Sequence, residues 1–360
     1  MTPGVVHEPG ADARPLVTLT LGDVAGIGPE VAVRAALDAD VRRTVRPVLV
    51  GHAGIVQRVL DTLPSKVGMR RVERLEEALQ ALAGYGGGDV VRGLLASAEA
   101  LAADPWEIDA RAGAAAYDAL MAAIEAALAG KCDAIVTAPL HKEALRLAGH
   151  AQPGHTESLA ERCGGREHAM MLHLPQGGMI EQPDGLSVAH VTLHTSIASV
   201  PGLLATDRIR GTIRLLHDFV RQLGVAAPRI GVCALNPHAG EHGLFGDEEG
   251  RVIEPAVRAE AEAGLDVRGP YPTDTLVRRA IVDQEFDGLV AMYHDQGHIP
   301  FKLLGFDRAV NVTLGLPIVR TSPSHGTAFD IAWTGRARDE GMRGAILTAA
   351  RLCRSRPAAR

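Results

Sequence analysis

Short runs of β-branched and aliphatic residues alternate along this chain with longer stretches of helical periodicity, and the alternation narrows the fold more than any other feature. Residues 15–21 (PLVTLTL), 46–50 (RPVLV) and 133–137 (DAIVT) stop abruptly at Gly22-Asp23, Gly51-His52 and Ala138-Pro139. Runs this apolar offer no face to water, so they read as strands of a mainly parallel sheet covered on both sides, an α/β architecture. Residues 110–130 (ARAGAAAYDALMAAIEAALAG) combine strong helix formers with one apolar stripe, the mark of a core helix. Further strands are expected at 186–193 (LSVAHVTL), 229–235 (RIGVCAL), 287–293 (DGLVAMY) and 309–314 (AVNVTL).

The 360 residues suffice for two domains, or for one large α/β unit with a cleft. With 46% hydrophobic and 22% charged residues the chain is globular rather than disordered. A net charge of −6 argues against a nucleic-acid partner, which would need a clustered basic face. The one dense basic stretch, 351–360, reads as the solvated end of a last helix. Cys132, Cys163, Cys233 and Cys353 form no CxxC pair and are expected to be reduced thiols in a cytoplasmic protein. Residues 1–13 read as a loose tail without the order of a signal peptide, and no run of about 18 apolar residues suggests a membrane partner.

Three of the expected strands lead to a histidine: His194 in TLHTS, His238 in LNPHAGE and His294 in MYHDQGH. Ligands of open α/β sheets bind beyond the carboxyl ends of the strands, so this repeated placement points to a site. Imidazole suits a borderline divalent ion, and three protein nitrogens would leave positions open for substrate oxygens. Asp295, next to His294, and Asp274 in YPTDTL could orient a ligating histidine or relay a proton; each could equally cap a helix or turn.

GDVAGIGPE (22–30) follows a strand and opens a helix, with Pro29 near its start. It lacks the dinucleotide fingerprint, because the third glycine of G-x-G-x-x-G would fall at Val31. The loop PGHTE (153–157) begins another helical stretch, where backbone N–H groups favour an anion. Lys302, Asn311 and Arg320 stand in otherwise apolar sequence, so a phosphate or carboxylate is a reasonable guest there, with an internal salt bridge as the rival reading.

Taken together, GDVAGIGPE, VTAPLHKEAL, PGHTE, LNPHAGEHGLFGDEE, AMYHDQGH and GLPIVRTSPSHGTAFDIA resemble, in the same order, the blocks of the 4-hydroxythreonine-4-phosphate dehydrogenase family and its paralogues. The resemblance implies a two-domain α/β/α fold like that of isocitrate and isopropylmalate dehydrogenases, with a cleft between the domains. These would be 14–140 plus 305–360, carrying the cofactor loop, and 141–304, carrying metal ligands and dimer interface. It further implies a divalent metal (zinc, magnesium, manganese or cobalt) on His194, His238 and His294, and substrate held by His155, Thr156, Lys302, Asn311 and Arg320. The active site would be shared across a homodimer. SHGTAFDIA (324–332) resembles the adenosine-binding loop of that superfamily, which assigns Gly326, Thr327, Ala328 and Asp330 to NAD or NADP.

The implied chemistry is oxidation, with decarboxylation, of a 4-phosphorylated 3-hydroxy acid. His298 in DQGHIPFKLLGF, together with GLFGDEE, LHKEALRLAGH and AFDIAWTGRA, looks nearer to the paralogues acting on 4-phospho-D-threonate or 4-phospho-D-erythronate than to the vitamin B6 enzymes acting on 4-phosphohydroxy-L-threonine. Val24 departs from the family's usual proline, and an extra segment LPQGGMIEQPDG precedes the His194 strand as an expected surface hairpin. Competing readings are a dehydrogenase of cis-dihydrodiol dicarboxylates, a metallohydrolase using the same three histidines, and a non-catalytic phosphosugar-binding module.

Overall fold

The computed structural model describes residues 14–64, 69–72, 91–94, 107–150, 162–163 and 168–355. The expected tail 1–13, the PGHTE loop with His155 and Thr156, and the end of the basic stretch lie outside the described residues. The chain divides into two compact units, Met1–His155 with Gly326–Ala350, and Thr156–His325 with Arg351–Arg360. The first two crossings come later in the chain than the expected 140 and 304, and a third follows Ala350.

Unit 1 holds β1 (Leu16–Thr20), β2 (Arg46–Val50), β3 (Met69–Val72), β4 (Val91–Leu94) and β5 (Ala134–Thr137) in the order β3-β4-β2-β1-β5. Every pairing is parallel, as the continuous apolar runs require. Its helices are α1 (Gly28–Leu37), α2 (Ala39–Thr44), α3 (Ala53–Leu60), α4 (Ala110–Leu128) and α5 (Lys142–Leu147). Local chemistry sets their starts: the Asp38 carboxylate accepts from the N–H groups of Asp40 and Val41, and Asp109 accepts from that of Arg111.

Unit 2 holds β6 (Ala169–Leu174), β7 (Leu186–His190), β8 (Arg229–Cys233), β9 (Asp266–Tyr271), β10 (Gly288–Ala291), β11 (Val310–Leu314) and β12 (Val319–Pro323), ordered β12-β11-β6-β7-β10-β8-β9. From β7 to β9 the pairing is parallel; β12, β11, β6 and β7 pair antiparallel. The sheet here is therefore mixed. The turns 175–185 and 315–318 are too short for a crossover helix, so the strands they join must run antiparallel. The first of these is the expected hairpin, closed by a bridge between Gly177 and Ile180.

The helices of unit 2 are α6 (Val200–Leu203), α7 (Thr206–Gln222), α8 (Glu254–Glu262), α9 (Thr273–Ile281) and α10 (His294–Gly305). The last helix, α11 (Glu340–Ser355), contributes to both units. Arg351 is not simply solvated: its guanidinium pairs with Asp184 and donates to the Leu223 carbonyl. Leu172 of β6, Val188 of β7, Leu289 of β10, Leu276 of α9 and Phe301 of α10 share one buried cluster. Thus α9 and α10 cover the same face of the sheet. Among the described residues no helix is long and apolar enough to cross a membrane.

Candidate active site

Three neighbouring strands of unit 2, β7, β10 and β8, end at His190, Ala291 and Cys233, earlier than the sequence suggests. His194 and His238 follow in the connecting segments, and His294 opens α10. Gln296 fixes that opening: its Oε1 accepts from Met292 N at 2.6 Å, and its Nε2 donates to Ala234 O at 2.6 Å and Thr273 Oγ1 at 2.8 Å. One buried amide thus ties the segments after β10 and β8 to the start of α9.

The His194 and His294 rings lie 5.9 Å apart and border one hollow of about 380 Å³ with Thr195, Ser196, Tyr293 and Asp295. His294 Nδ1 donates to Asp295 Oδ1 at 2.7 Å. Because a carboxylate there accepts, the Nδ1 of His294 carries the proton and its Nε2 keeps a lone pair. One helical turn on, the His298 ring stacks on His294 with centroids 3.7 Å apart and planes within 10°. Behind it His190 lies buried, its Nε2 3.1 Å from His298 Nδ1. Burial, with the neighbouring imidazoles adding to it, pushes His298 down to about 4 and His190 to about 3, so both are neutral near pH 7.

Of the expected substrate residues, the three described ones, Lys302, Asn311 and Arg320, lie on the α10 side of the sheet. Asn311 pairs with Leu172, which pairs with Val188, so all three point to the face that α10 covers. Arg320, two residues before Ser322, the partner of Asn311, shares that face; it is buried and donates to Thr313 Oγ1 at 3.2 Å. Asn311 Oδ1 is buried without a hydrogen-bond partner among the described residues. Lys302 lies on α10, eight residues after His294 and four after His298, which puts the three on one side of the helix. Arg320 also borders a smaller cavity, about 200 Å³, at the β11–β12 turn.

His238 and Asp274 are not part of this group. His238 belongs to a turn whose residues 238–242 all have left-handed backbone, with φ of 52, 54, 77, 45 and 56°. Its side chain is 75% exposed, 3.9 Å from Glu241 and near Phe245. It borders a separate hollow of about 600 Å³ with His242, Asp247 and Glu254. The turn is clamped by Glu249, whose Oε1 accepts from the N–H groups of Leu235 and Asn236, both at 2.8 Å. The Asp274 carboxylate accepts from Thr275 N at 2.7 Å, within the first turn of α9.

In unit 1, the 22–27 loop and the SHGTAFDIA segment meet through backbone. Ile27 N donates to Thr327 O at 2.9 Å, and a Cβ on Gly26 would stand 2.7 Å from that oxygen, so only glycine fits. The buried Glu30 carboxylate accepts from Trp333 N at 2.6 Å and Gly335 N at 3.0 Å. Ala328 is left-handed at φ 42°, Asp330 is exposed, and a Cβ on Gly326 would meet open space. A nucleotide could therefore approach this loop from solvent.

Residues 43–349 match the family model described as pyridoxal phosphate biosynthetic protein PdxA. The chain belongs to the PdxA family. It is 45% identical over 337 residues to D-threonate 4-phosphate dehydrogenase of Salmonella typhimurium, covering 93% of this chain and 98% of the relative. It is 42% identical over 358 residues to 4-hydroxythreonine-4-phosphate dehydrogenase of Geobacter metallireducens, covering 95% and 97%. The crystal structure of 4-hydroxythreonine-4-phosphate dehydrogenase from Klebsiella pneumoniae superposes with a TM-score of 0.80 at 39% identity, covering 94% of this chain and 100% of that one. The chain therefore has the isocitrate dehydrogenase-like fold of PdxA dehydrogenases and is an oxidoreductase of the class acting on CH–OH, which implies a nicotinamide cofactor.

Two features bear on a PdxA metal. His194 and His294, the latter with its bare Nε2, suit a borderline divalent ion. Among the described residues, however, no three His, Cys, Asp or Glu side chains form a group able to hold a cation, and His238 of the same chain does not complete the pair. The residues that sequence reasoning passed over are His190, and His298 as a neighbour of His294. The four-residue spacing in HDQGH was the available signal for the second, since i and i+4 share a helix face. His190 stands inside an apolar strand and offered none.

Proposed function

We propose that this protein is a divalent-metal-dependent NAD(P)⁺ dehydrogenase that oxidises, with decarboxylation, a 4-phosphorylated 3-hydroxy acid, 4-phospho-D-threonate or 4-phospho-D-erythronate. The observation that carries the reading is the His194–His294 pair in its hollow, with Lys302, Asn311 and Arg320 on the same side of the sheet. The 45% identity to D-threonate 4-phosphate dehydrogenase supports the sugar-acid substrate over the amino acid of the biosynthetic relatives. His194, His238 and His294 would hold the metal, which when bound would supply Lewis-acid chemistry to the substrate oxygens. Gly326, Thr327, Ala328 and Asp330 would hold the nicotinamide, which would supply the hydride acceptor.

The chain's own residues do the positioning. Lys302 and Arg320 supply positive charge for the phosphate, with His155 and Thr156 as further donors. The Asn311 Oδ1, buried without a partner among the described residues, gives the substrate a fixed hydrogen-bond acceptor. Asp295 holds the Nδ1 proton of His294 and so keeps the lone pair on Nε2 directed outward from that bond. Asp274 is assigned only a helping role at the start of α9.

The third ligand, His238, comes in this reading from a second subunit. An exposed His238 apart from the other two supports a shared site. So do the exposed apolar side chains Ile197, Leu244, Phe245, Ile299, Leu303 and Phe306, all in unit 2, which a second copy would cover. The deciding assay is reduction of NAD⁺ and NADP⁺ by metal-loaded protein with 4-phospho-D-threonate, 4-phospho-D-erythronate and 4-phosphohydroxy-L-threonine in parallel, and a His238→Ala control. Turnover of a sugar-acid phosphate, lost in the variant, is expected. Preference for the amino acid would return the protein to vitamin B6 synthesis, and no reduction with any of the three would sink the substrate assignment.

A further inference from the structure

We propose that His298 and His190 are positioning residues that set the ring plane of His294, through a chain of imidazoles whose tautomers are dictated by one backbone carbonyl. The inference deepens the proposed function, because it rests on His294 being a cation ligand. The chain starts at Met170 O, 3.3 Å from His190 Nδ1. A carbonyl only accepts, so the proton of the neutral His190 ring lies on Nδ1 and its Nε2 must accept. The Nδ1 of His298, 3.1 Å from that Nε2, must therefore donate, and it is also 3.1 Å from the carbonyl of His294 one turn back. Both neighbours of His298 Nδ1 are acceptors, which leaves a single consistent tautomer, Nδ1–H with a bare Nε2.

With its hydrogen bonds fixed on one edge, the His298 ring has one orientation, and His294 lies flat on it at 3.7 Å. Asp295 then holds the edge of His294 while His298 holds its face. A helix-breaking residue at 297 shows how closely α10 must approach for this: a Cβ on Gly297 would stand 2.5 Å from His190 Nε2 and 2.9 Å from a Val188 methyl. Only glycine lets the helix approach the buried histidine so closely. The four imidazoles thus form two layers, an outer pair facing the hollow and an inner pair that is buried and neutral.

The test has two readouts besides turnover. In histidine-¹⁵N-labelled, cation-free protein, the nitrogen shifts of His298 should report a protonated Nδ1 and a bare Nε2; a proton on Nε2 overturns the chain. Cobalt(II) titration, followed by its visible absorption, should show affinity weakened about 10- to 100-fold in His298→Ala and His190→Leu, the usual cost of losing a residue that orients a ligand. His190→Gln keeps an acceptor where Nε2 was and should recover most of the loss, which a merely structural role for the ring would not produce. Wild-type affinity in both His298→Ala and His190→Leu overturns the proposal. If His294→Ala binds cobalt as well as wild type, the ligand reading fails instead, and the nitrogen shifts decide the imidazole chain alone.

Discussion

Unit 1 and unit 2 both present connecting segments beyond the ends of parallel strands, yet they build those segments from different material. In unit 1 the 22–27 loop and the 327–335 segment are joined main chain to main chain through Ile27 and Thr327, and side chain to main chain through Glu30. In unit 2 the equivalent place is made of side chains: His194, His294, His298 and His190, held by Gln296 and Asp295. Backbone hydrogen bonds fix the path of a loop without specifying most of its side chains, which suits a surface that meets a common cofactor. Stacked imidazoles specify lone-pair directions, which suits a surface that meets a reacting hydroxyl. The units should therefore fail separately.

The largest effect is expected from His294→Ala, which removes the half-exposed proposed ligand. Turnover should fall about a thousandfold, the equivalent of roughly 4 kcal/mol of transition-state charge stabilisation, with little change in Tm and unchanged affinity for the nicotinamide nucleotide. Gly26→Ala inverts the pattern. With the new Cβ 2.7 Å from Thr327 O, the loop must shift, and nucleotide affinity measured by calorimetry should drop by up to about 100-fold while cobalt affinity holds. If either variant weakens both ligands equally, the division of labour is wrong.

Glu30→Ala removes the buried carboxylate that accepts from the Trp333 and Gly335 N–H groups and should cost about 1–3 kcal/mol in a denaturant titration. The effect that is smallest near neutral pH belongs to a buried histidine. Burial, assisted by the Arg351 charge, holds His173 at about 3 against an ordinary 6.5. As pH falls below 6.5 the unfolded chain takes up a proton that the folded chain refuses, so stability declines from there toward pH 3. His173→Asn, which keeps a partner for Ser187, should flatten that decline by up to about 1.4 kcal/mol per pH unit. An acid limb of unchanged slope would show that His173 does not contribute.

The legibility of the sequence follows the same division. GDVAGIGPE was visible because a close main-chain approach writes itself in glycines, SHGTAFDIA only through its resemblance to a superfamily loop, and unit 1 is parallel throughout, as its apolar runs imply. In unit 2 the histidines after β7, β8 and β10 were visible by type and placement. Their grouping was not, because the strands stop early and the turn at His238 leads away from the other two. Strand direction failed where two short turns impose antiparallel pairing on β6, β11 and β12. His190 was hidden because a buried imidazole in a β-strand has the same sequence context as any core residue, and only the hydrogen bond to His298 distinguishes it.

The turn at residues 238–242 winds the opposite way from the α-helices among the described residues, and four of its five residues carry a Cβ that resists doing so. At about 1–2 kcal/mol for each such residue, the mirror-image winding stores roughly 4–8 kcal/mol, a large part of what holds a typical domain folded. Just ahead of the turn, the Glu249 carboxylate grips the N–H groups of Leu235 and Asn236. Glu249 is in effect a latch on handedness. The direction in which this histidine can reach a partner is thus tied to an acidic residue eleven positions along the chain.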